Sequence, residues 1–412
     1  MTNSESCCTT GSGLMAVDEA INFLLERAAI TTATETIKTE DALGRVLAES
    51  LTSKIDVPPL DNSAMDGYAL STNDIASDGK TELPVSQRIT AGSTGAPLKP
   101  GTAARIFTGA PVPDNANAVV MQERCEQKDD NVLIKGVVNV GDNIRKAGGD
   151  IAAGDTILES GVKLRPQELG LAASIGFAEL AVYKKLRVAI FSTGDELVLP
   201  GEPAGDGKIY NSNRYTLMGL LKSVNCDIVD LGTVPDQLQA TLDTLNSASA
   251  KADLIITTGG VSVGEEDYIK AALDKLGQVD MWRVAMKPGK PVAFGHVKNT
   301  PFIGLPGNPV AVFVTFCLFA RPYLLKTQGM TGIRPERLKV KAGFDWNRAG
   351  PRREYARAQL QPDIMTATLY PKQGSGVLSS VAWADGLVEI PENSTIKKGD
   401  DVTYLSFSDL LS

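Results

Sequence analysis

The run Arg187-Val-Ala-Ile-Phe191, closed by Ser192-Thr-Gly-Asp-Glu196, decides how the rest of the chain is read. It is a short block of strand-forming residues that stops abruptly at a glycine turn. Asp253-Leu-Ile-Ile-Thr257 repeats the pattern and ends in Thr258-Gly-Gly-Val-Ser-Val-Gly-Glu-Glu-Asp267. Met286-Lys-Pro-Gly-Lys-Pro291 and Gly304-Leu-Pro-Gly-Asn-Pro309 follow as two further glycine turns. Between them, Tyr215, Leu217, Met218 and Leu221 recur at helical spacing in Asn211–Ser223. Cys226–Leu231 reads as a strand, and Pro235-Asp236 opens a helix expected to reach about Ala250. Short apolar strands alternating with helices imply a doubly wound, mostly parallel α/β domain. In such sheets ligands bind at the carboxyl ends of the strands, where these turns fall.

Outward from that domain the pattern changes. Leu14, Val17, Ile21, Leu24, Leu25 and Ala28 share one helical face, and a second helix is expected at about Asp41–Ser50. Asp56-Val-Pro-Pro-Leu-Asp61 cannot be helical. From Asn62 to about Val140, short alternating runs cut by Gly and Pro indicate a β-rich module. Arg165–Ser174 reads as a helix with Pro166 in its first turn. After Gly329 the short strands return. The expected organisation is a discontinuous helical/extended N-terminal domain (14–52 and 148–184) interrupted by the inserted β-rich module (53–147). The α/β domain (185–330) and a barrel-like C-terminal β domain (331–412) complete it.

A chain of 412 residues is long enough for roughly two to four domains. Its net charge of −8 argues against non-specific nucleic-acid binding, so an anionic ligand must meet locally clustered cations. The polar start (Met1–Gly13) carries no secretory pattern, and the apolar stretch Val310–Ala320 is expected to be a buried helix too short to span a bilayer. Five cysteines without paired spacing suit reduced thiols and a cytoplasmic location; Cys7 and Cys8 are given no role. With His296 the only histidine, a His-rich metal site is ruled out and a histidine triad is improbable.

Candidate chemistry follows from the turns. Lys287 and Lys290 flank Pro288-Gly289, a stiff turn on which two cations are expected to stay available to an oxyanion. Thr258-Gly259-Gly260-Val-Ser262 lets backbone approach a phosphate, and Thr108-Gly109 in the β module is a less specific turn of the same kind. The acids are Asp66, Asp150, Asp195, Glu196, Asp236, Glu265, Glu266 and Asp267. Each alone is most simply a solvated charge, yet Glu196, Asp236 and Asp267 each follow an expected strand at one sheet edge. That set suits Mg2+ shared with a substrate phosphate. Arg352, Arg353 and Arg357 offer oxyanion donors near the C-terminal domain, although arginines on an edge strand more often protect it.

These residues resemble the molybdopterin molybdenumtransferase family, which includes MoeA and the gephyrin E domain. The resemblance rests on six motifs in order: Asp61-Asn-Ser-Ala-Met-Asp-Gly-Tyr-Ala69, Thr108-Gly-Ala-Pro-Val112, Ser192-Thr-Gly-Asp-Glu196, Thr258-Gly-Gly-Val-Ser-Val-Gly264, Lys287-Pro-Gly-Lys-Pro291 and Leu305-Pro-Gly-Asn-Pro309. Gly374–Leu387 extends it into the last domain. The resemblance implies a homodimer whose cleft joins the α/β domain of one subunit to the β module of the other. It also implies Mg2+-assisted insertion of molybdenum from molybdate into adenylylated molybdopterin, with release of AMP. Functional acids then fall on Asp66, Asp150, Glu196, Asp236 and Asp267, with Glu196, Asp236 and Asp267 as metal candidates. Substrate-binding positions fall on Thr108, Arg145, Gly259, Gly260, Ser262, Lys287, Lys290, Arg352 and Ser375, and on the turn prolines Pro306 and Pro309. The upstream molybdopterin adenylyltransferase and acceptor molybdoenzymes are the implied protein partners. Two departures stand out: Gly149 where the family commonly has an acid beside Asp150, and Ala311 where a serine often follows the turn. The alternatives are molybdopterin adenylyltransferase activity and a non-enzymatic scaffold on the same fold.

Overall fold

The computed structural model describes residues 14–30, 33–77, 79–261 and 268–412, with only the backbone of residues 281 and 282. Its centre is a six-stranded sheet in the order Asp227–Val234, Arg187–Thr193, Leu254–Thr258, Thr300–Leu305, Pro291–Val297, Gly277–Arg283. The first four run parallel, and the last two are antiparallel additions at one edge. Strand order reverses between Arg187–Thr193 and Leu254–Thr258, which makes their shared carboxyl edge a topological switch point. Ile190, Ile255, Ile256 and Ile303 are buried because helices cover both faces of the parallel strands.

Helix Ser212–Ser223 starts at Asn211, whose Oδ1 accepts from Arg214 N–H at 3.1 Å. Arg214 then reaches across to Asp230 on the neighbouring strand, with Nε 2.8 Å from Oδ2. Helix Leu238–Lys251 begins after Gln237, so Asp236 precedes the helix that the sequence opens at Pro235-Asp236. Pro309 is the first residue of a helix that runs to Thr327 through a wider π-turn stretch, Phe316–Ala320. The helix is therefore longer than the Val310–Ala320 expected from sequence. Its 19 residues are long and apolar enough to cross a membrane, yet 94% of its most apolar window is buried inside the protein.

The Asp41–Ser50 helix does not form. After a 3-10 turn at Thr39–Asp41 the backbone enters φ +75° at Gly44, and Leu47 and Ala48 donate to Val162 and Ala181 carbonyls. Long-range pairing supplies there the hydrogen bonds that a local helix would have made. Strand Thr34–Lys38 pairs with Glu179–Tyr183 and Leu51–Thr52 with Thr156–Leu158, joining two pieces distant in sequence. Helix Val17–Arg27, grouped with those pieces by sequence position, packs instead on the α/β core. Phe23 meets Phe294 edge-on at 6.2 Å, and Lys326 Nζ donates to Leu25 O at 2.6 Å. Its apolar face is matched by the long central helix rather than by a neighbour in sequence.

The β module is a six-stranded sheet between Gly67 and Lys135. In the C-terminal region the strand Arg353–Gln361 pairs with both Thr366–Leu369 and Gly386–Ile390, which closes five strands into a barrel. Strand Met286–Lys287 of the α/β region joins that barrel in parallel to Arg353–Glu354. Phe313 and Phe407 meet across the same junction with ring centroids 5.0 Å apart and planes tilted by 60°, and Leu387, Leu405 and Leu410 share the α/β core.

Asp230 yields a test of the Arg214 link. Burial raises its pKa, but the bonds from Arg214 and from Gly232 N–H outweigh burial and hold the carboxyl below its ordinary value. A carboxyl depressed in the folded state adds stability above its unfolded pKa of about 3.9, and that stability is lost as pH falls through the folded value. Asp230→Asn is expected to cost roughly 1–2 kcal/mol at pH 7 and to flatten the fall in melting temperature between about pH 5 and 3. Parallel melting curves for wild type and variant across that window would remove Asp230 from the acid response.

Candidate functional site

The four parallel strands all deliver their carboxyl ends to one cleft. Arg187–Thr193 supplies Gly194 and Glu196, Asp227–Val234 supplies Asp236, Leu254–Thr258 supplies Gly259 and Gly260, and Thr300–Leu305 supplies Pro306 and Pro309. The turn Lys287-Pro-Gly-Lys290 and the C-terminal residues Arg352, Gln373 and Ser375 line it as well. The cleft encloses about 800 Å3, within the range of sites for large small-molecule ligands.

Glycine at the switch point is a steric requirement. Gly259 has φ +87° and Gly260 φ +64°, and a Cβ on them would lie 2.9 Å from Thr193 O and 2.8 Å from Thr193 Oγ1. Two strand-end loops can thus lie backbone to backbone only without side chains here. Gly289 serves the lysine turn in the same way: its φ is +110°, and a Cβ would meet Thr315 Cγ2 at 2.3 Å. That contact seats the turn on the central helix and leaves Lys287 and Lys290 exposed.

The two lysines differ, however. Register pairing of Lys287 with Glu354 brings Lys287 Nζ to 3.0 Å from Glu354 Oε2, so the expectation that both cations lack an acidic partner fails for Lys287. The barrel strand that carries Glu354 is remote in sequence and adjacent only through the tertiary ladder. Lys290 has no ion-pair partner among the described residues. Arg352 lines the cleft and donates to Met286 O at 3.4 Å.

Arg353 and Arg357 are not available to a ligand. Arg353 is engaged with Asp18 at 2.9 Å and with Glu392. Arg357 is buried, and its Nε donates to Ser380 Oγ at 3.0 Å while Nη2 donates to Gly374 O at 3.3 Å. Burial lowers its pKa to about 10. Gln373 exchanges hydrogen bonds of 2.9 Å with the Arg357 backbone, and Ser375 O accepts from Val310 N–H at 3.0 Å. These bonds fasten the Gly374–Ser375 loop over the start of the central helix.

On the acidic side, Asp195 and Asp236 are tied reciprocally: each backbone N–H donates to the other's carboxylate at 3.2 Å. Glu196 folds back over Gly194, where a Cβ would come within 2.4 Å of its Oε2. Among the described residues no three acidic, histidine or cysteine side chains converge as a ready-made metal site. Ser262 and Asp267 lie outside the described residues.

Asp66, Thr108, Arg145 and Asp150 do not line this cleft. They belong to the β module and the segment leaving it. Asp66 Oδ1 accepts from Thr108 N–H and Oγ1 at 2.8 Å each, and those two bonds lower the carboxyl's pKa. Arg145 pairs with Asn62, and Asp150 N–H donates to Val57 O at 3.0 Å. Gly149 sits in the same crossing, where a Cβ would meet Lys146 O at 3.0 Å, so an acid there needs the backbone to shift. Ala311 lines the cleft near the start of the central helix.

Sequence reasoning also missed Asn211, Asn213, Tyr210 and Gln373 as lining residues. Asn213 Nδ2 donates to Gly307 O at 2.6 Å and so holds the Pro306–Pro309 turn. For Tyr210, Asn211 and Asn213 the sequence signal was the polar run Tyr210-Asn-Ser-Asn213 at the start of a helical pattern.

An α/β domain whose parallel strands end in one cleft at the switch point, in a chain that also carries a β module and a C-terminal β barrel, defines a multidomain α/β class of protein. Residues 189–326 match a family described as a probable molybdopterin binding domain. Residues 15–176 match the MoeA N-terminal region (domain I and II), and residues 339–407 the MoeA C-terminal region (domain IV). A molybdopterin molybdenumtransferase of Haemophilus influenzae is 38% identical over 97% of this chain and the whole of that protein. Molybdopterin molybdenumtransferase 2 of Mycobacterium tuberculosis is 38% identical over 87% of the chain and 91% of its own length. The crystal structure of a molybdopterin biosynthesis moeA protein from Pyrococcus horikoshii OT3 superposes with a TM-score of 0.84 at 29% identity, covering 95% of this chain and all of that one. The chain belongs to the MoeA family of molybdopterin molybdenumtransferases.

The glycine requirement is testable. Gly260→Ala is expected to destabilise the protein by about 1–3 kcal/mol, through positive φ and the Thr193 contact. Gly307→Ala, whose Cβ would only touch Gly259 at 3.7 Å, is expected to be near neutral. Urea unfolding of both variants checks this, and equal midpoints would dismiss the close-approach argument.

Proposed function

We propose that the cleft inserts molybdenum from molybdate into adenylylated molybdopterin and releases AMP. The observation that carries this reading is that one cavity is lined both by cations without an acidic partner among the described residues (Lys290, Arg352, with Ser375) and by acids (Glu196, Asp236). The substrate pair calls for both: molybdate is a tetrahedral dianion, while the phosphoanhydride brings charge that must be neutralised as it is cleaved. Arg352 and Lys290 would grip molybdate with the Ser375 hydroxyl as a further donor, and the Gly259–Gly260 backbone would admit phosphate closely.

Glu196 and Asp236 fit a hard cation of the Mg2+ type, which usually takes one or two carboxylates and completes its shell with substrate phosphate and water. Two cleft carboxylates without a third are the donor set such sharing needs. When bound, the cation would neutralise phosphate charge. Asp267, after the same sheet edge, is the remaining candidate ligand.

The Asp66–Thr108 pair, with Asp150 and with Arg145, whose strand pairs with Asn62–Ser63, would act in the cleft of a second copy of the chain in a homodimer. The described free thiols Cys125, Cys226 and Cys317 accord with a reducing, cytoplasmic setting. An upstream adenylyltransferase would deliver the activated pterin, and acceptor molybdoenzymes would take the product.

The experiment is an insertion assay with purified protein, adenylylated molybdopterin, molybdate and magnesium. Wild type is expected to release AMP, and absence of release would overturn the reading. Lys290→Ala is expected to raise the molybdate concentration for half-maximal rate by about tenfold or more, as loss of a charge-assisted contact does. Asp236→Asn is expected to shift the magnesium dependence instead. An unchanged molybdate response in Lys290→Ala would remove that ammonium from the oxyanion site.

A further inference from the structure

We propose that Tyr210 is the stacking platform for the adenine of the activated substrate, an assignment that rests on the function proposed above. Tyr210 is the only aromatic residue among the described residues lining the cleft; the rest of that wall is polar, aliphatic, glycine or proline. It is 48% exposed, beside Ile209 at 57%, in a segment whose other residues are also solvent-accessible.

Its position is fixed rather than loose. The two residues before the helix cap form a short strand, Ile209–Tyr210, paired with Leu197–Val198. Ile209 N–H donates to Glu196 O at 2.8 Å, and Asn211 N–H donates to Val198 O at 2.9 Å. The phenol Oη donates to Glu202 O at 3.1 Å. The ring is thus held at its backbone and at its far end, which limits the ordering cost of using it as a platform.

The direction of the substrate selects adenine over pterin. Molybdenum enters at the pterin dithiolene, so the pterin must lie by the oxyanion-binding wall of Lys290, Arg352 and Ser375. The anhydride follows, close to Glu196 and Asp236, and the nucleoside extends beyond it. Ile209, the residue before Tyr210, donates its backbone N–H to Glu196 O, so the strand that carries Tyr210 runs beside Glu196, which also lines the cleft. A planar base there gains a π-face without sequence-specific hydrogen bonds, which is how aromatic side chains commonly hold nucleobases.

Calorimetric titration of AMP and of inorganic pyrophosphate tests the assignment on wild type, Tyr210→Ala and Tyr210→Phe. Tyr210→Ala is expected to weaken AMP about tenfold, Tyr210→Phe by no more than about twofold, and neither to change pyrophosphate. Equal AMP affinity in wild type and Tyr210→Ala overturns the platform. So does a Tyr210→Ala effect on unmodified molybdopterin in place of AMP, or a change of oligomeric state with AMP affinity unaltered. Wild-type turnover assayed in parallel separates the two ideas: AMP release with a silent Tyr210→Ala rejects the platform alone, whereas no AMP release rejects the proposed reaction and the platform with it.

Discussion

The cleft exists because a two-residue parallel ladder, Met286–Lys287 beside Arg353–Glu354, fastens the C-terminal barrel to the α/β sheet. Arg353 N–H donates to Ala285 O at 3.1 Å, and Val310 N–H to Ser375 O at 3.0 Å, so both sides of the junction are tied by backbone bonds. Without that junction Arg352 and Ser375 would belong to a different surface from Lys290. Apolar packing reinforces it, since Phe407, Leu387 and Leu405 are buried with the long central helix in one core. Burying such side chains contributes roughly 1.5–3 kcal/mol each, far more than the two ladder residues alone.

Charge in the site is arranged by partnership as much as by placement. Lys287 is balanced by Glu354, Arg353 is held by Asp18 and Glu392, and Arg357 is sealed beneath the Gly374 loop. Lys290 and Arg352 are left as the cations facing the cavity without an acidic partner among the described residues. Under the proposed function, those two cleft cations are what an acidic protein would use to hold an anion locally. Asp236 is kept close to Asp195 through reciprocal backbone bonds, which fixes the carboxylate against the turn.

The alternation of strands and helices from Arg187 to Arg321 was readable because several elements meet a local steric stop: Gly194 and Gly259 at positive φ after two strands, and Pro309 at the start of the central helix. Pro309 opens the central helix as its residue type allows, but Asn308 before it makes no side-chain cap bond, and the cap that does form, at Asn211, was not read from the sequence. The Asp41–Ser50 helix was misread because its backbone groups bond to Val162 and Ala181, partners that no local pattern reveals. Helix Val17–Arg27 was read correctly as a helix, but the identity of its partner depended on Phe294 and Tyr323, far along the chain. The expectation for Lys287 failed in the same way, through one long-range ladder pair.

The sequence by itself determined that acids, glycines and lysines gather at the carboxyl edge of one parallel sheet, since strand ends and tight turns are local properties of residue type. It also determined the family, because six motifs keep their order along the chain. Tertiary structure alone decided which arginine faces the cavity, which lysine is neutralised, and that Tyr210 supplies the aromatic wall among the described residues. The physical reason is that a side chain's availability depends on what packs and pairs beside it, and here those neighbours come from remote segments of the chain.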